Sequence, residues 1–361
     1  MWFFALLLQT HSAWAVKNFE NEIERDIPLR KSLPIYLQHK TGSITIQGWV
    51  QDRVRVKMKS HVLADSEAQA KQAFDKLGLI SLESLDRFEM RVGHKQGVDL
   101  VSKMKDQLQN SVQVDLEIKA PLQSDITIVL GDGKQLKIES WHGGVTILGK
   151  NNNLQFSKLS LVRPLSINCV ECDTQIRDSK FGGHLFLGSK ALLLSNVEAT
   201  PSVSIDESNE EIRIENSRGV MSVNTKTGRM SVLKFNGNLN FQSIDGGADI
   251  SGFQGNLNVQ TQTGQVVVDV DSIQKQLNVD TDKSDIQLAL PPQFEGALDL
   301  SSLRGEVVVQ FAYELKHAGS DTYGPSSPGR IDGQIGSNAS VNLHAYTKQG
   351  GVRLIRKAPA R

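Results

Sequence analysis

The sequence predicts an all-β protein: a parallel β-solenoid of coils about 18–21 residues long, two strands to a coil, led by a small α+β N-terminal part. Three observations predict it. The pattern G-x-Φ-x-Φ, with Φ apolar, starts at Gly219, Gly228, Gly237, Gly246, Gly255 and Gly264, nine residues apart each time. Apolar residues two apart share one face of a strand, and the preceding glycine supplies a corner needing φ > 0 or close backbone approach. A hydroxyl residue precedes every other turn, as Thr225-x-x-Gly228, Ser243-x-x-Gly246, Thr261-x-x-Gly264, Thr281-x-x-Ser284 and Ser302-x-x-Gly305, at intervals of 18, 18, 20 and 21 residues. The polar residue at the centre of the intervening strand keeps the same beat: Ser222, Asn240, Asn258, Asn278, Asp299. Such periods mark folds whose units stack in one dimension. Parallel stacking would set Asn over Asn and Thr over Thr about 4.8 Å apart, as polar ladders outside the core. An antiparallel meander with a strand every nine residues is the alternative the pattern leaves open.

In chain order, residues 1–15 read as a secretory signal peptide. The apolar run Met1 to Leu8 is too short to span a bilayer, and Ala13-Trp14-Ala15 supplies an A-x-A cleavage site. A buried N-terminal strand is the alternative. Residues 16–123 form the N-terminal part. Its strands are Leu33 to Leu37, Gly42 to Ile46, Arg53 to Met58, Phe88 to Val92 and Val112 to Ile118, apolar at every second position. Residues 66–77 form a helix that caps the solenoid: Ser66 and Gln69 have capping-box spacing, Gly78 closes it, and Ala70, Ala73, Phe74 and Leu77 make the apolar stripe. His94 to Ser111 reads as a loop carrying a short helix. Residues 124–357 form the solenoid, with starts mostly 9–11 residues apart and an irregular, mobile loop at 311–336, where Gly324-Pro-Ser-Ser-Pro-Gly329 lies. Two last strands, Ser340 to Leu343 and Gly351 to Leu354, resume the pattern.

This order of elements resembles the exported bacterial β-solenoid proteins grouped as putative adhesins, a domain of unknown function. The resemblance is carried by Gly42-Ser-Ile-Thr-Ile-Gln-Gly-Trp49 with Asp52 to Val56, the Ser66 helix, Val112 to Pro121, the repeated [ST]-x-x-G-x-Φ-x-Φ units, Leu288-Ala-Leu-Pro-Pro292 and Thr347-Lys-Gln-Gly-Gly-Val-Arg-Leu354. It implies a parallel β-solenoid at the periplasm or cell surface, and brings no catalytic motif with it.

The chemistry available to function is sparse. Lys plus Arg and Asp plus Glu number 40 each, so no basic field invites nucleic acid. No later stretch has the length and apolarity of a membrane helix. His61, His94, His142, His184, His317 and His344 are scattered, and Gly246-Gly-Ala-Asp249, the nearest approach to a calcium-binding β-roll unit, does not recur, so neither metal nor cofactor is expected. Cys169 and Cys172 lie at a corner; an exported protein would join them as a local disulfide, with two thiols as the alternative and a redox or metal role unsupported by further ligands. Asp269, Asp271, Asp280, Asp282 and Asp285 form the one local carboxylate cluster, with Lys275 and Lys283 as counter-charges. Held at the right separation they would suit a polysaccharide lyase or hydrolase, the rival reading. The expected function is a non-enzymatic, adhesin-like binding or scaffold module at the cell envelope. Its candidate ligand ladder is Asn240, Asn258 and Asn278, and its partner a glycan or an envelope protein.

Overall fold

The computed structural model describes residues 16–30, 33–94, 112–182, 184–206, 210–315, 326–337 and 340–358; the signal-peptide reading at 1–15 and nearly all of the loop-and-helix reading at 94–111 lie outside them. The chain is all-β, with a single helix among the described residues. Its strands form one hydrogen-bonded sheet in which two main stacks, joined by shorter pairings such as Ser217↔Phe235, each take a strand from successive turns of the chain, and nearly all the buried apolar side chains gather in one core.

From Ile126 to Ala289 every pairing is parallel, and each strand lies on the one 18–20 residues further along: Ile126↔Val145, Val145↔Leu165, Glu211↔Arg229, Met230↔Ala248 and Val266↔Ile286. The meander is therefore absent from this stretch. Alternation fills the core: Val223, Phe241, Val259 and Val279 follow one another on the inner face of one stack, with Met221, Leu239, Leu257 and Leu277 beside them, all buried. Ser140, Lys158, Asp178, Asn196, Asn216, Lys234 and Gly252 repeat the left-handed conformation at one corner of successive turns. At a second corner Gly219, Gly237 and Gly255 take φ of 123°, 141° and 135°, and a Cβ on Gly237 would lie 2.0 Å from the Gly219 carbonyl oxygen. Only glycine meets both demands.

The ends depart from the expected order. Stacking does not begin at Ser124. Strands Ile35–His39 and Ile44–Trp49 already form a coil, which lies between Phe88–His94 and Ile126–Leu130 in one stack and between Val112–Pro121 and Gln135–Glu139 in the other. At the far end Asn342–Thr347 and Val352–Arg356 lie between the coil ending at Leu290 and the coil Gly296–Val309, which precedes them in the chain. Each end of the stack thus holds an intercalated coil, laid in out of chain order. Periodicity does not reveal this, because partners such as Ala297 and Asn342, or Ile44 and Leu136, lie far outside the 18–21 residue repeat.

Antiparallel strands close both ends. Lys17–Pro28 pairs with Arg53–Ala64, which pairs with Val112–Pro121, and Leu77–Glu83 pairs with Phe88–His94. At the other end Ser326–Ile335 pairs antiparallel with Gly296–Val309. The irregular loop expected over 311–336 is thus in part a strand: Ile331 and Ile335 are buried on alternate positions, and that alternation outweighs the glycine and proline before it. The helix spans Glu67–Lys76, with the Ser66 hydroxyl accepting from Gln69 N. It ends at Leu77, whose backbone is already extended, so Gly78 is a strand residue and not the cap. Ala70 and Ala73 pack on Val62, beside Phe19 and Val112, as the helix carries the chain from one stack to the other.

Candidate ligand-binding face

The hydroxyl turns and the polar ladder part company in space. Thr225, Ser243 and Thr261 continue the inward alternation of residues such as Met221 and Val223, so their side chains are buried; the Thr row is not the outer ladder the spacing suggested. Each hydroxyl accepts from the backbone N–H three residues on: Gly228 at 2.9 Å, Gly246 at 2.7 Å and Gly264 at 3.2 Å. Thr261 also donates to Gly246 O of the preceding coil (2.8 Å), so one hydroxyl serves two turns. Thr347, fully buried, does the same for the last coil, accepting from Gly350 N (3.1 Å) and donating to Ser284 O (3.0 Å).

The intervening positions of the same strands face outward. Asn240 Nδ2 donates to Ser222 Oγ (3.2 Å), Asn258 Nδ2 donates to Asn240 Oδ1 (2.6 Å), and Asn278 follows in register. Two flanking rows were not singled out in the sequence. Asn256 Nδ2 donates to Asn238 Oδ1 (2.9 Å), and Gln242 Nε2 donates to Gln260 Oε1 (3.2 Å). Every outward position over Val220–Asn224, Asn238–Gln242 and Asn256–Gln260 is therefore an amide, a hydroxyl or, at Val220, apolar; none is charged. Across the core, the same turns carry Glu211, Arg213, Glu215, Arg229, Asp249 and Asp269 outward. Toward the N-terminal end the Asn240 row continues through Ser222 and Ser204 to Phe186, about half exposed, whose ring centroid is 6.0 Å from that of His184.

Asp299, expected to follow Asn278, is displaced by one coil. The intercalated strand puts His344 between them, with Nδ1 3.0 Å from Asp299 Oδ2 and Nε2 3.1 Å from Asp280 Oδ1. Asp299 also receives Arg330 (3.1 Å). Here both imidazole nitrogens point at the carboxylates instead of converging with them on a common point. No group of three or more His, Cys, Asp or Glu among the described residues is placed to hold a metal ion.

The remaining carboxylates of the cluster are each engaged. Lys357 Nζ bridges Asp269 and Asp271, the latter at 2.8 Å. Burial works against its charge, yet hydrogen bonds to the two carboxylates outweigh that and hold its pKa above the usual lysine value. Lys348 pairs with Asp282 at 2.7 Å, and Asp285 accepts from Gly351 N at 2.7 Å. The counter-charges are thus Lys348, from the intercalated coil, and Lys357, from the tail, and not Lys275 and Lys283. Cys169 and Cys172 are joined as a disulfide at a buried corner, Cα atoms 5.6 Å apart, and Asn152 N points at Cys172 Sγ (3.1 Å). Among the described residues no helix is long and apolar enough to cross a membrane.

No family model and no curated protein sequence matches the chain. Among solved structures it is similar to a putative cell adhesion protein from Clostridium sporogenes, 11% identical over 94% of this chain and 100% of that one, TM-score 0.21. It is also similar to a putative adhesin from Bacteroides fragilis, 9% identical over 93% of this chain and 97% of that one, TM-score 0.22.

Proposed function

We propose that the chain is an exported, non-enzymatic β-solenoid acting as an adhesin-like binding or scaffold module at the cell envelope, in the periplasm or on the cell surface. Its contact surface is the amide face around Asn240, Asn258 and Asn278. The solenoid reading is supported by the constant 18–20 residue offset of parallel partners and by the left-handed corners repeated from Ser140 to Gly252. The observation that carries the binding role is the contrast between faces: over the same turns one side is charged and the other presents only neutral side chains, nearly all able to donate and accept. Export gives that face partners outside the cytoplasm, and a disulfide such as Cys169–Cys172 suits an oxidising compartment.

The non-enzymatic reading is supported by the carboxylates themselves. Acid/base hydrolysis needs one carboxyl free to carry a proton and a second held opposite it. Asp269 and Asp271 share the Lys357 ammonium, and Asp282 and Asp285 hold the last coil in place. Purified protein tested on a glycan array and on a polysaccharide-degradation panel checks the reading: it retains a polymer and releases no product. Product release that disappears in Asp269→Asn and Asp271→Asn would replace the binding module with an enzyme.

A further inference from the structure

We propose that the amide face binds a neutral, hydroxyl-rich polysaccharide laid across the stacked coils from Phe186 toward Asn278. This rests on the reading of that face as the contact surface and names the chemical class it takes.

An amide, like a sugar hydroxyl, both donates and accepts, so rows of amides are complementary to rows of hydroxyls. On this face the strand segments 220–224, 238–242 and 256–260 offer no outward cation to an anionic polymer and no outward anion to a basic one. In Asn240 the ladder uses one N–H toward Ser222 and one acceptor site toward Asn258. Those bonds fix the amide planes in one orientation, while the second N–H of each amide is left for a ligand. Pre-orientation of this kind lowers the ordering cost of binding. The neighbouring Asn238–Asn256 and Gln242–Gln260 pairs repeat it on both flanks, so donors recur across the sheet as well as along it. At the N-terminal end of the central row Phe186 offers an aromatic face to the C–H side of a sugar ring, next to His184. From Phe186 to Asn278 is five coil steps, about 24 Å at 4.8 Å each, long enough for an extended oligosaccharide. Beyond it, Asp280, His344 and Asp299 return the surface to charge and bound the neutral stretch.

The test uses the full chain in affinity electrophoresis, with a soluble neutral β-glucan, a neutral mannan and anionic alginate in separate gels. The variant is Gln242→Glu with Gln260→Glu, two exposed positions whose charge blocks the face while the Asn240 row is kept; thermal melting confirms its fold, and Phe186→Ala tests the aromatic end. The expected result is retardation by a neutral polymer, weakened at least about tenfold in the double variant and several-fold in Phe186→Ala, with alginate inert. Retardation by a neutral polymer that the double variant leaves unchanged overturns the site. Retardation by alginate alone, lost in the double variant, overturns the neutral class and leaves the contact face standing. A change of oligomeric state in the double variant, without polymer binding, assigns the face to a second copy of the chain. Absence of any binding or self-association overturns both the class and the face.

Discussion

The two intercalated coils perform the same topological task with opposite chemistry. The N-terminal one, Ile35 to Trp49, is tied down by a buried imidazole and by a half-buried carboxylate bound to a backbone N–H and a hydroxyl. His39, 1% exposed, donates from Nε2 to Val114 O (2.8 Å), and Ser43 binds Asp115 through both its N–H (2.7 Å) and its hydroxyl (2.8 Å). The C-terminal one, Asn342 to Arg356, is tied down mainly at the surface by charge: His344 between Asp280 and Asp299, Lys348 on Asp282, and Lys357 just beyond it on Asp269 and Asp271. A desolvated imidazole has its effect through protonation, and a solvated ion pair through screening. The two ends therefore respond to different variables, acid at one and salt at the other, although each is a single coil held between two neighbours.

The largest expected effects strike the backbone, where the ends are alike. A Cβ on Gly48 would lie 2.0 Å from Ser140 O, and one on Gly350 would lie 2.1 Å from Ser284 O, so the coil must move away from its neighbour in either case. Gly48→Ala and Gly350→Ala should each cost about 3 kcal/mol or more. Hydrogen exchange should show protection lost at the mutated end first. Equal loss at both ends would mean that the stack opens as one unit and that comparing its ends is meaningless.

The second effect separates the ends. Desolvation by burial is the main cause that lowers the His39 pKa from 6.5 to about 4, against the opposing pull of the Val114 carbonyl and Asp115. The unfolded chain therefore takes up this proton before the folded one does. Stability from a neutral His39 is complete above about pH 6.5 and is lost as pH falls toward 4, by roughly 3 kcal/mol in all. Urea unfolding at pH 7.5 and 4.5 checks it, and His39→Leu should flatten the difference. An unchanged slope in that variant would move the acid sensitivity elsewhere.

A smaller effect concerns the buried hydroxyl of the C-terminal coil. Thr347→Val leaves Gly350 N without its acceptor, while Ser284 O keeps the Thr281 hydroxyl (2.8 Å), and should cost about 1–3 kcal/mol at any pH between 5 and 8. Thr347 also shows what the sequence could and could not tell. Its turn, Thr347-x-x-Gly350, repeats Thr225-x-x-Gly228, so membership of the stack was legible, as were the coils from Gly219 to Val268, whose partners lie a fixed 18 residues away. The turn motif carries no address, however. Nothing in residues 342–356 says that they enter beneath Gly296–Val309, because that position is set by which strand edges are still open once the earlier coils have formed. The same blindness put Asp299 directly after Asn278 and missed His344. The flanking amide rows were missed for another reason: Asn238, Asn256, Gln242 and Gln260 are outward positions two residues from Asn240 and Asn258, where a polar residue is ordinary, and only the register shows that they align.

The smallest effect is the sharpest test of the comparison. His344 and its two carboxylates are each more than a third exposed, so the cluster contributes only about 0–1 kcal/mol at low salt, and less at 1 M. Replacing the imidazole by an amide continues the row Asn240, Asn258, Asn278 through the intercalated strand, since position 344 lies in register with Asn278. His344→Asn should then change stability by less than about 0.5 kcal/mol, because at this exposed site an amide can still donate to one carboxylate. It should also reduce the salt dependence of exchange at the C-terminal coil and leave the acid response of the N-terminal coil untouched. Urea melts at 0.05 M and 1 M salt, paired with exchange at both ends, read all three. A loss near the size of the His39 effect would show that His344 works as a desolvated group after all, and the two ends would then share one chemistry instead of two.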